Sequence, residues 1–216
     1  MSSALIIFDC DGVLIDSEHL ACRTDSACLA ELGIAMSEEE ILDRYVGISM
    51  ATMLSDIEVR SGVTLPADFA ATLQRRIAQA FETELRPMPG IEHLLDGLEQ
   101  TTCVASSSTP ERLRHALTCV GLFHRFAPHI FSATQVKRGK PAPDLFLFSA
   151  QQMNSAPDDC VVIEDSVAGV TAAVAAGMRA IGFTGGSHCR AGHADRLRQA
   201  GAHAVIGQFS ALPPLI

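Results

Sequence analysis

The sequence lacks a surplus of basic residues, long apolar runs and any closely spaced pair of cysteines. Its 216 residues include 16 Lys and Arg against 25 Asp and Glu, which gives a formal charge of −9. Nucleic acids and anionic membrane surfaces are bound through a surplus of Lys and Arg, so we expect neither as a partner. With 48% hydrophobic and 19% charged residues, the chain has the composition of a globular protein.

No segment of the sequence indicates export or membrane insertion. The longest apolar stretches are far shorter than the roughly 18 residues of a membrane-spanning helix. The first residues lack a basic segment and lead straight into an apolar run, unlike a secretory signal. We therefore expect a cytoplasmic protein, and we expect it to be a monomer.

The seven cysteines are odd in number and widely spaced, with no Cys-x-x-Cys among them. Several stand in apolar runs, including Cys103 and Cys160. We therefore expect buried thiols in a reducing compartment rather than disulfides. Cys and His pairs at the spacing of zinc ligands are not evident, so we expect no zinc site. The eight histidines are scattered, and we assign a functional role to none of them.

Short, continuously apolar runs recur along the chain, as in strands that are buried on both faces of a parallel sheet. They lie at residues 4–8, 102–105, 129–132, 160–163, 179–183 and, more weakly, 204–206. Helical segments are predicted between them, near residues 110–120, 143–153 and 166–176. This alternation predicts a doubly wound α/β domain with a parallel sheet.

Residues 16–86 interrupt the alternation because they contain helical patterns and no strong strand. The helical segments are predicted at 16–32, from Ser37, at 49–60 and at 66–85, and Ser37 with Glu40 forms a capping box. About 70 residues are too many for one crossover connection. We therefore predict a helical domain at 16–86, inserted into an α/β catalytic core of residues 1–15 and 87–216.

Polar side chains follow the predicted strands at the ends where an open α/β sheet binds its ligands. They are Asp9 and Asp11, Ser106, Ser107 and Ser108, Lys140, and Glu164 and Asp165. Carboxylates that lie together repel one another unless a cation compensates them, and oxygen ligands without His or Cys favour Mg²⁺. With a hydroxyl and an ammonium group to bind an anion, such a site suits phosphoryl transfer.

Four segments, in this order, resemble the motifs of the haloacid dehalogenase-like (HAD) phosphohydrolase superfamily. They are FDCDGVLIDSE at 8–18, VASSS at 104–108, KPAPDLF at 140–146 and VVIEDSVAGV at 161–170. The resemblance spans nearly the whole chain, and the inserted helices are similar to the cap of the branch that contains β-phosphoglucomutase and sugar-phosphate phosphatases. It implies a Rossmann-like core and a cap domain that closes over a small phosphate ester.

The resemblance also implies catalytic and phosphate-binding roles. Asp9 would be the nucleophile that forms an aspartyl-phosphate, and Asp11 would protonate the leaving alkoxide and then activate water. Ser106 and Lys140 would hold the transferring phosphoryl group, helped by backbone N–H groups around Cys10, Asp11 and Ser107.

The same resemblance implies the metal ligands. Mg²⁺ would be held by Asp9, the carbonyl oxygen of Asp11 and Asp165, and Glu164 would ligate directly or through water. Gly12 would allow the backbone to turn tightly beside the phosphate.

The core motifs do not separate a phosphatase from a β-phosphoglucomutase. The mutase pattern has a His shortly after the first motif and an Arg after a Gly-x-Ser stretch. The matching positions here are Leu20 and Met50, after residues 47–49, with His19 one position away. The missing Arg favours a phosphatase, and the sequence most resembles those that act on 6-phosphogluconate and similar sugar-acid phosphates. Arg44 is a cationic candidate in the cap.

Two other activities fit parts of the pattern. A phospho-accepting receiver module also places acidic residues, Ser or Thr and Lys around Mg²⁺, but it is shorter and has no cap. Dehalogenase chemistry uses a nucleophile without a second Asp, and Asp11 opposes it. The charge of −9 does not oppose a phosphate ester, because Mg²⁺ and Lys140 would neutralise the acids that gather at the site.

Overall fold

The apolar runs of the sequence form a six-stranded parallel sheet in a computed structural model that describes residues 5–46 and 48–216. The strands are β1 (Leu5–Phe8), β2 (Thr101–Ser106), β3 (Ile130–Ser132), β4 (Cys160–Glu164), β5 (Arg179–Phe183) and β6 (Ala204–Ile206). Their order across the sheet is β3-β2-β1-β4-β5-β6, so the direction of winding reverses at β1. The predicted α/β fold is confirmed, and Ala4, the predicted first residue of the sheet, lies outside the described residues.

Four helices make up one of two compact units, Ser17–Leu85, and the other unit ends at Asp16 and resumes at Arg86. The helices are α1 (Glu18–Glu31), α2 (Glu38–Tyr45), α3 (Met50–Ser61) and α4 (Phe69–Glu84). The predicted capping box opens α2, since Ser37 and Glu40 exchange hydrogen bonds between side chain and backbone. Apolar side chains of all four helices form one buried cluster, which includes Leu29, Tyr45 and Leu73. The function of this unit as a cap stays a prediction.

The core unit has its own helices around the sheet. They are α5 (Ile91–Gly97), α6 (Pro110–Cys119), α7 (Phe123–Phe126), α8 (Asp144–Gln152), α9 (Val167–Ala175) and α10 (His193–Gln199). Helix α6 begins as its sequence predicts, because the Thr109 side chain accepts a hydrogen bond from the Arg112 N–H and Pro110 takes the first helical position. The sequence does not predict α5, α7 and α10, which are too short for a clear apolar period.

The cysteines and the helix lengths bear on two further expectations. All seven cysteines are free thiols, and five of them are buried. The expectation of buried thiols is therefore confirmed for these five, whereas Cys119 and Cys189 are partly exposed. Within the described residues, a helix with the length and apolarity needed to cross a membrane is not present.

We expect Leu73→Ala to destabilise the helical unit by about 2–5 kcal/mol, because the side chain is fully buried and its loss leaves a cavity. The measurement is urea unfolding followed by circular dichroism. Val59→Ala is the control, because Val59 is 81% exposed on α3 and its truncation should change stability by less than about 0.5 kcal/mol. Equal stability of the two variants would contradict the assigned core.

Candidate active site

Three central strands end at the same edge of the sheet and bring the predicted residues together. Asp9 follows β1, Ser106 is the last residue of β2, and Glu164 is the last residue of β4, with Asp165 directly after it. Strand β1 lies between β2 and β4, and Phe8 is in register with both. Because all strands are parallel, these side chains stand side by side at the carboxyl edge, next to the point where the winding reverses.

Lys140 lies in the loop before α8 and reaches into the middle of this edge. Its Nζ donates to Asp9 Oδ1 at 2.6 Å, to Glu164 Oε1 at 2.5 Å and to the Ala105 carbonyl oxygen at 3.0 Å. An ammonium group has three protons, so its hydrogen-bonding capacity is filled. The side chain is only 5% exposed. The charge is therefore removed from water and compensated by protein groups.

Asp9, Glu164 and Asp165 form a buried acidic cluster. One carboxylate oxygen from each lies within 4.8 Å of the others. Burial raises the pKa of Asp9 well above its usual value, against the lowering effect of Lys140. Burial, and then Glu164, likewise raise the pKa of Asp165. Burial lowers the pKa of Lys140, but its ion pairs outweigh this and raise the pKa overall. Such crowded oxygen donors fit a hard divalent cation.

Glu164 is fixed in one orientation by its neighbours. Oε1 accepts from Lys140, and Oε2 accepts from both the N–H and the hydroxyl of Ser166, each at 2.9 Å. A Cβ at Gly169, in the first turn of α9, would lie 1.8 Å from Oε1, so this helix position admits only glycine. Glu164 therefore anchors Lys140 against the start of α9.

Asp165 is held by two histidines that the sequence did not identify. Its Oδ2 lies 3.0 Å from His188 Nε2, and its carbonyl oxygen accepts from His193 Nε2 at 2.6 Å. Gly12 has φ +77, and a Cβ there would lie 2.0 Å from Asp165 Oδ2. The first motif thus needs glycine both for its turn and for the close approach of Asp165.

Asp11 stands beside the acidic cluster with a different set of partners. Its side chain is 16% exposed, and its Oδ2 accepts from the Ser108 hydroxyl at 2.8 Å. Its Oδ1 accepts from Arg112 Nη2 at 3.1 Å. Arg112 was missed at the sequence level, because it stands within α6 and outside the four motifs.

The predicted phosphate-binding serines differ in their surroundings. Ser106 is buried, and its hydroxyl accepts a hydrogen bond from the Ser108 N–H at 3.1 Å. Ser107 is exposed at the turn between β2 and α6. Its backbone N–H, the group to which the prediction refers, lies at the edge of the sheet where Asp9 also stands.

Comparison with known proteins shows the family to which the chain belongs. The family model of haloacid dehalogenase-like hydrolases matches residues 6–183. The chain is 31% identical to 6-phosphogluconate phosphatase of Escherichia coli over 85% of this chain and 83% of that protein. It is 37% identical to hexitol phosphatase A of Escherichia coli over 81% and 80% of the two chains. It is also 32% identical to β-phosphoglucomutase of Bacillus subtilis, over 82% and 81%.

Solved structures show the same fold. A haloacid dehalogenase-like protein of unknown function from Agrobacterium tumefaciens superposes with a TM-score of 0.88 at 42% identity, over 99% of this chain and 97% of that chain. A HAD family hydrolase from Deinococcus radiodurans, with bound phosphate and sodium, gives 0.82 at 32% identity over 99% and 94%. These matches favour an enzyme over a receiver module. The chain belongs to the haloacid dehalogenase-like hydrolase family, as a phosphoric monoester hydrolase similar to sugar-phosphate phosphatases and phosphomutases.

Proposed function

We propose that the protein is a Mg²⁺-dependent phosphatase that hydrolyses a sugar phosphate or a sugar-acid phosphate such as 6-phosphogluconate. The observation that carries the proposal is the Asp9 carboxylate, held 2.6 Å from the Lys140 ammonium at the edge of a buried acidic cluster. A carboxylate beside a buried cation suits nucleophilic attack on phosphorus. The 6-phosphogluconate phosphatase relative supports the substrate class.

Mg²⁺ fits the donors of the acidic cluster. We propose that Asp9, Asp165 and the carbonyl oxygen of Asp11 hold the ion. When bound, it would neutralise carboxylates and phosphoryl oxygens and so favour approach of the anionic substrate. Because both oxygens of Glu164 accept hydrogen bonds from Lys140 and Ser166, we propose that Glu164 contributes through water and by holding Lys140.

The reaction we propose has two displacements at phosphorus. An Asp9 oxygen bonds to phosphorus while the ester P–O bond breaks, and Asp11 gives its proton to the leaving alkoxide. Asp11 then takes a proton from a water molecule whose oxygen attacks the phosphorus. The bond from phosphorus to Asp9 breaks, which releases inorganic phosphate. Lys140 and Ser106 hold the phosphoryl oxygens throughout.

Ser108 and Arg112 fit a positioning role for Asp11. Their hydrogen bonds engage one carboxylate oxygen each, which restricts rotation of the side chain. Transfer of a proton requires Asp11 to point at the leaving oxygen within hydrogen-bond reach. Because both oxygens accept hydrogen bonds, one of them from a guanidinium group, these contacts favour the ionised carboxylate. We propose that they position Asp11 as the base of the second displacement, and that Asp11 leaves them when it donates its proton to the leaving oxygen.

We propose that the helical unit acts as the cap that selects the sugar part of the substrate. Arg44 is exposed on α2 and is a candidate to bind a substrate carboxylate. The cytoplasmic location, the monomeric state and the absence of nucleic-acid and membrane partners stay predictions of the sequence.

A phosphomutase is the second candidate, because β-phosphoglucomutase of Bacillus subtilis is among the relatives. Three observations favour the phosphatase. Leu20 is buried, Met50 packs against the helical core, and His19 Nδ1 pairs with Glu38 Oε1. Gly47, part of the stretch used to align the mutase pattern, lies outside the described residues.

Asp9→Asn should lower turnover by about a thousandfold or more, because the amide cannot replace the carboxylate as nucleophile. Phosphate release from 6-phosphogluconate in saturating Mg²⁺ is the measurement, with circular dichroism to verify folding. Asp158→Asn, a change of the same chemistry at an exposed position, should keep full activity. Near wild-type activity of Asp9→Asn would refute the assigned nucleophile.

Removal of divalent cations with EDTA should abolish turnover and sharply weaken binding of the phosphate ester, since the buried carboxylates then repel the substrate. Added Mg²⁺ should restore both. Calorimetric titration of the wild-type protein with a non-hydrolysable phosphonate analogue of the substrate measures the binding part and keeps the proposed metal ligand Asp9 in place. Equally tight binding with and without Mg²⁺ would contradict the proposed metal role.

With β-glucose 1-phosphate as substrate, we expect inorganic phosphate as the product and no glucose 6-phosphate. The missing Arg at position 50 removes a ligand for the second phosphate of a bisphosphate. Phosphorus NMR of the reaction mixture, in the presence and absence of added bisphosphate, distinguishes the products. Accumulation of glucose 6-phosphate would assign the mutase reaction instead.

A further inference from the structure

Besides the carboxylate oxygens of the acidic cluster, nitrogen and sulfur atoms that can bind a metal lie close together after strand β5. His188 and Cys189 lie in the loop that follows β5, and His193 is the first residue of α10. A ligand atom from each lies within 4.8 Å of the other two. Cys189 Sγ and His188 Nε2 are 3.5 Å apart. With Zn–N and Zn–S bonds of about 2.0 and 2.3 Å, donors of a tetrahedral zinc site stand about 3.5 Å apart, so this pair has that spacing.

The loop holds its donors in place before any metal binds. The N–H and hydroxyl of Ser187 donate to Asp16 Oδ1 at 3.1 and 2.8 Å. The His188 side chain is 4% exposed, and a Cβ at Gly12 or Gly186 would lie within 2.9 or 2.7 Å of its Cε1. The position of His188 therefore depends on close packing and not on a flexible surface loop.

A fourth donor comes from the acidic cluster itself. Asp165 Oδ2 lies 3.0 Å from His188 Nε2, and the carbonyl oxygen of Asp165 accepts from His193. The carboxylate of Asp165 thus borders the oxygen donors of Asp9 and Glu164 on one side and the imidazole of His188 on the other. Imidazole and thiolate ligands select Zn²⁺ and similar cations, whereas carboxylates alone suit Mg²⁺.

We propose that His188, Cys189 and His193 form a second metal site for Zn²⁺ or a similar thiophilic divalent cation, with Asp165 as its fourth ligand. Binding displaces the thiol proton of Cys189 to solvent, and His188 and His193 exchange their Nε2 contacts with Asp165 for the metal. The ring proton of each histidine then lies on Nδ1, so His193 gives up the hydrogen bond that Arg196 Nη2 donates to its Nδ1. This site is separate from the proposed catalytic site, and the two share one residue, Asp165. Because Asp165 would be drawn toward the new cation, occupancy inhibits Mg²⁺-dependent hydrolysis.

Titration of the reduced full-length protein with Co²⁺ tests the site by its spectrum, independently of activity. We expect one equivalent of Co²⁺ to give the intense visible bands of tetrahedral coordination and a near-ultraviolet thiolate-to-cobalt band. Zn²⁺ should remove these bands, and an excess of Mg²⁺ should not. Octahedral Co²⁺ held by the oxygen cluster would absorb only weakly, so the two sites are distinguishable.

Two matched variants locate the sulfur donor. Cys189→Ser should lose the thiolate band. Cys119→Ser should keep it, because Cys119 lies 3.7 Å from His115 Nε2 and, within the part of the chain that the structure describes, the two belong to no group of three His, Cys, Asp or Glu donors. Absence of the band from the wild-type protein, its persistence in Cys189→Ser or its loss in Cys119→Ser would each overturn the proposal.

Inhibition provides the second readout. At saturating Mg²⁺, Zn²⁺ should inhibit phosphate release by the wild-type enzyme, and Cys189→Ser should raise the half-inhibiting concentration by about tenfold or more. Without Zn²⁺, Cys189→Ser should match the wild type. Equal sensitivity of both proteins to Zn²⁺ would refute the coupling through Asp165. A failure of the phosphatase assay itself would reject the proposed function, and the Co²⁺ spectrum would still decide the metal site.

Discussion

The ammonium group of Lys140 is buried between the ends of β1, β2 and β4, and its three protons go to Asp9, Glu164 and the carbonyl oxygen of Ala105. Loss of one member of such a buried pair leaves an uncompensated charge, at a cost of about 3–5 kcal/mol. The three contacts tie the loop before α8 to the central strands. They also aim the Asp9 carboxylate, and Glu164 is in turn fixed by Ser166 at the start of α9.

A single ammonium group does not balance three buried carboxylates. Burial raises the pKa values of Asp9 and Asp165, and the neighbouring carboxylates raise them further. A bound divalent cation would offset the negative charge of these carboxylates, so that the site would attract a phosphate group instead of repelling it. The charge of −9 on the whole chain is therefore no guide to the substrate, because the local balance at the carboxyl edge of the sheet decides it.

The strands and their alternation with helices could be predicted, because a strand buried on both faces appears in the sequence as a continuous apolar run. Asp9 and Glu164 were found because they stand directly at strand ends. Arg112, His188 and His193 were not, because their roles arise from tertiary proximity to Asp11 and Asp165 and leave no local signal. The expectation of no zinc site considered only spacing along the chain, whereas the loop after β5 folds three metal-binding donors together.

We propose that the buried Lys140 contact presents Asp9 as the nucleophile. A single turnover of 6-phosphogluconate labelled with ³²P, quenched in acid and followed by mass-spectrometric mapping of the labelled peptide, tests this role of Asp9. We expect a phosphoryl group on Asp9 that appears and decays at rates consistent with turnover. Label on another residue, or phosphate release without any labelled protein, would contradict it.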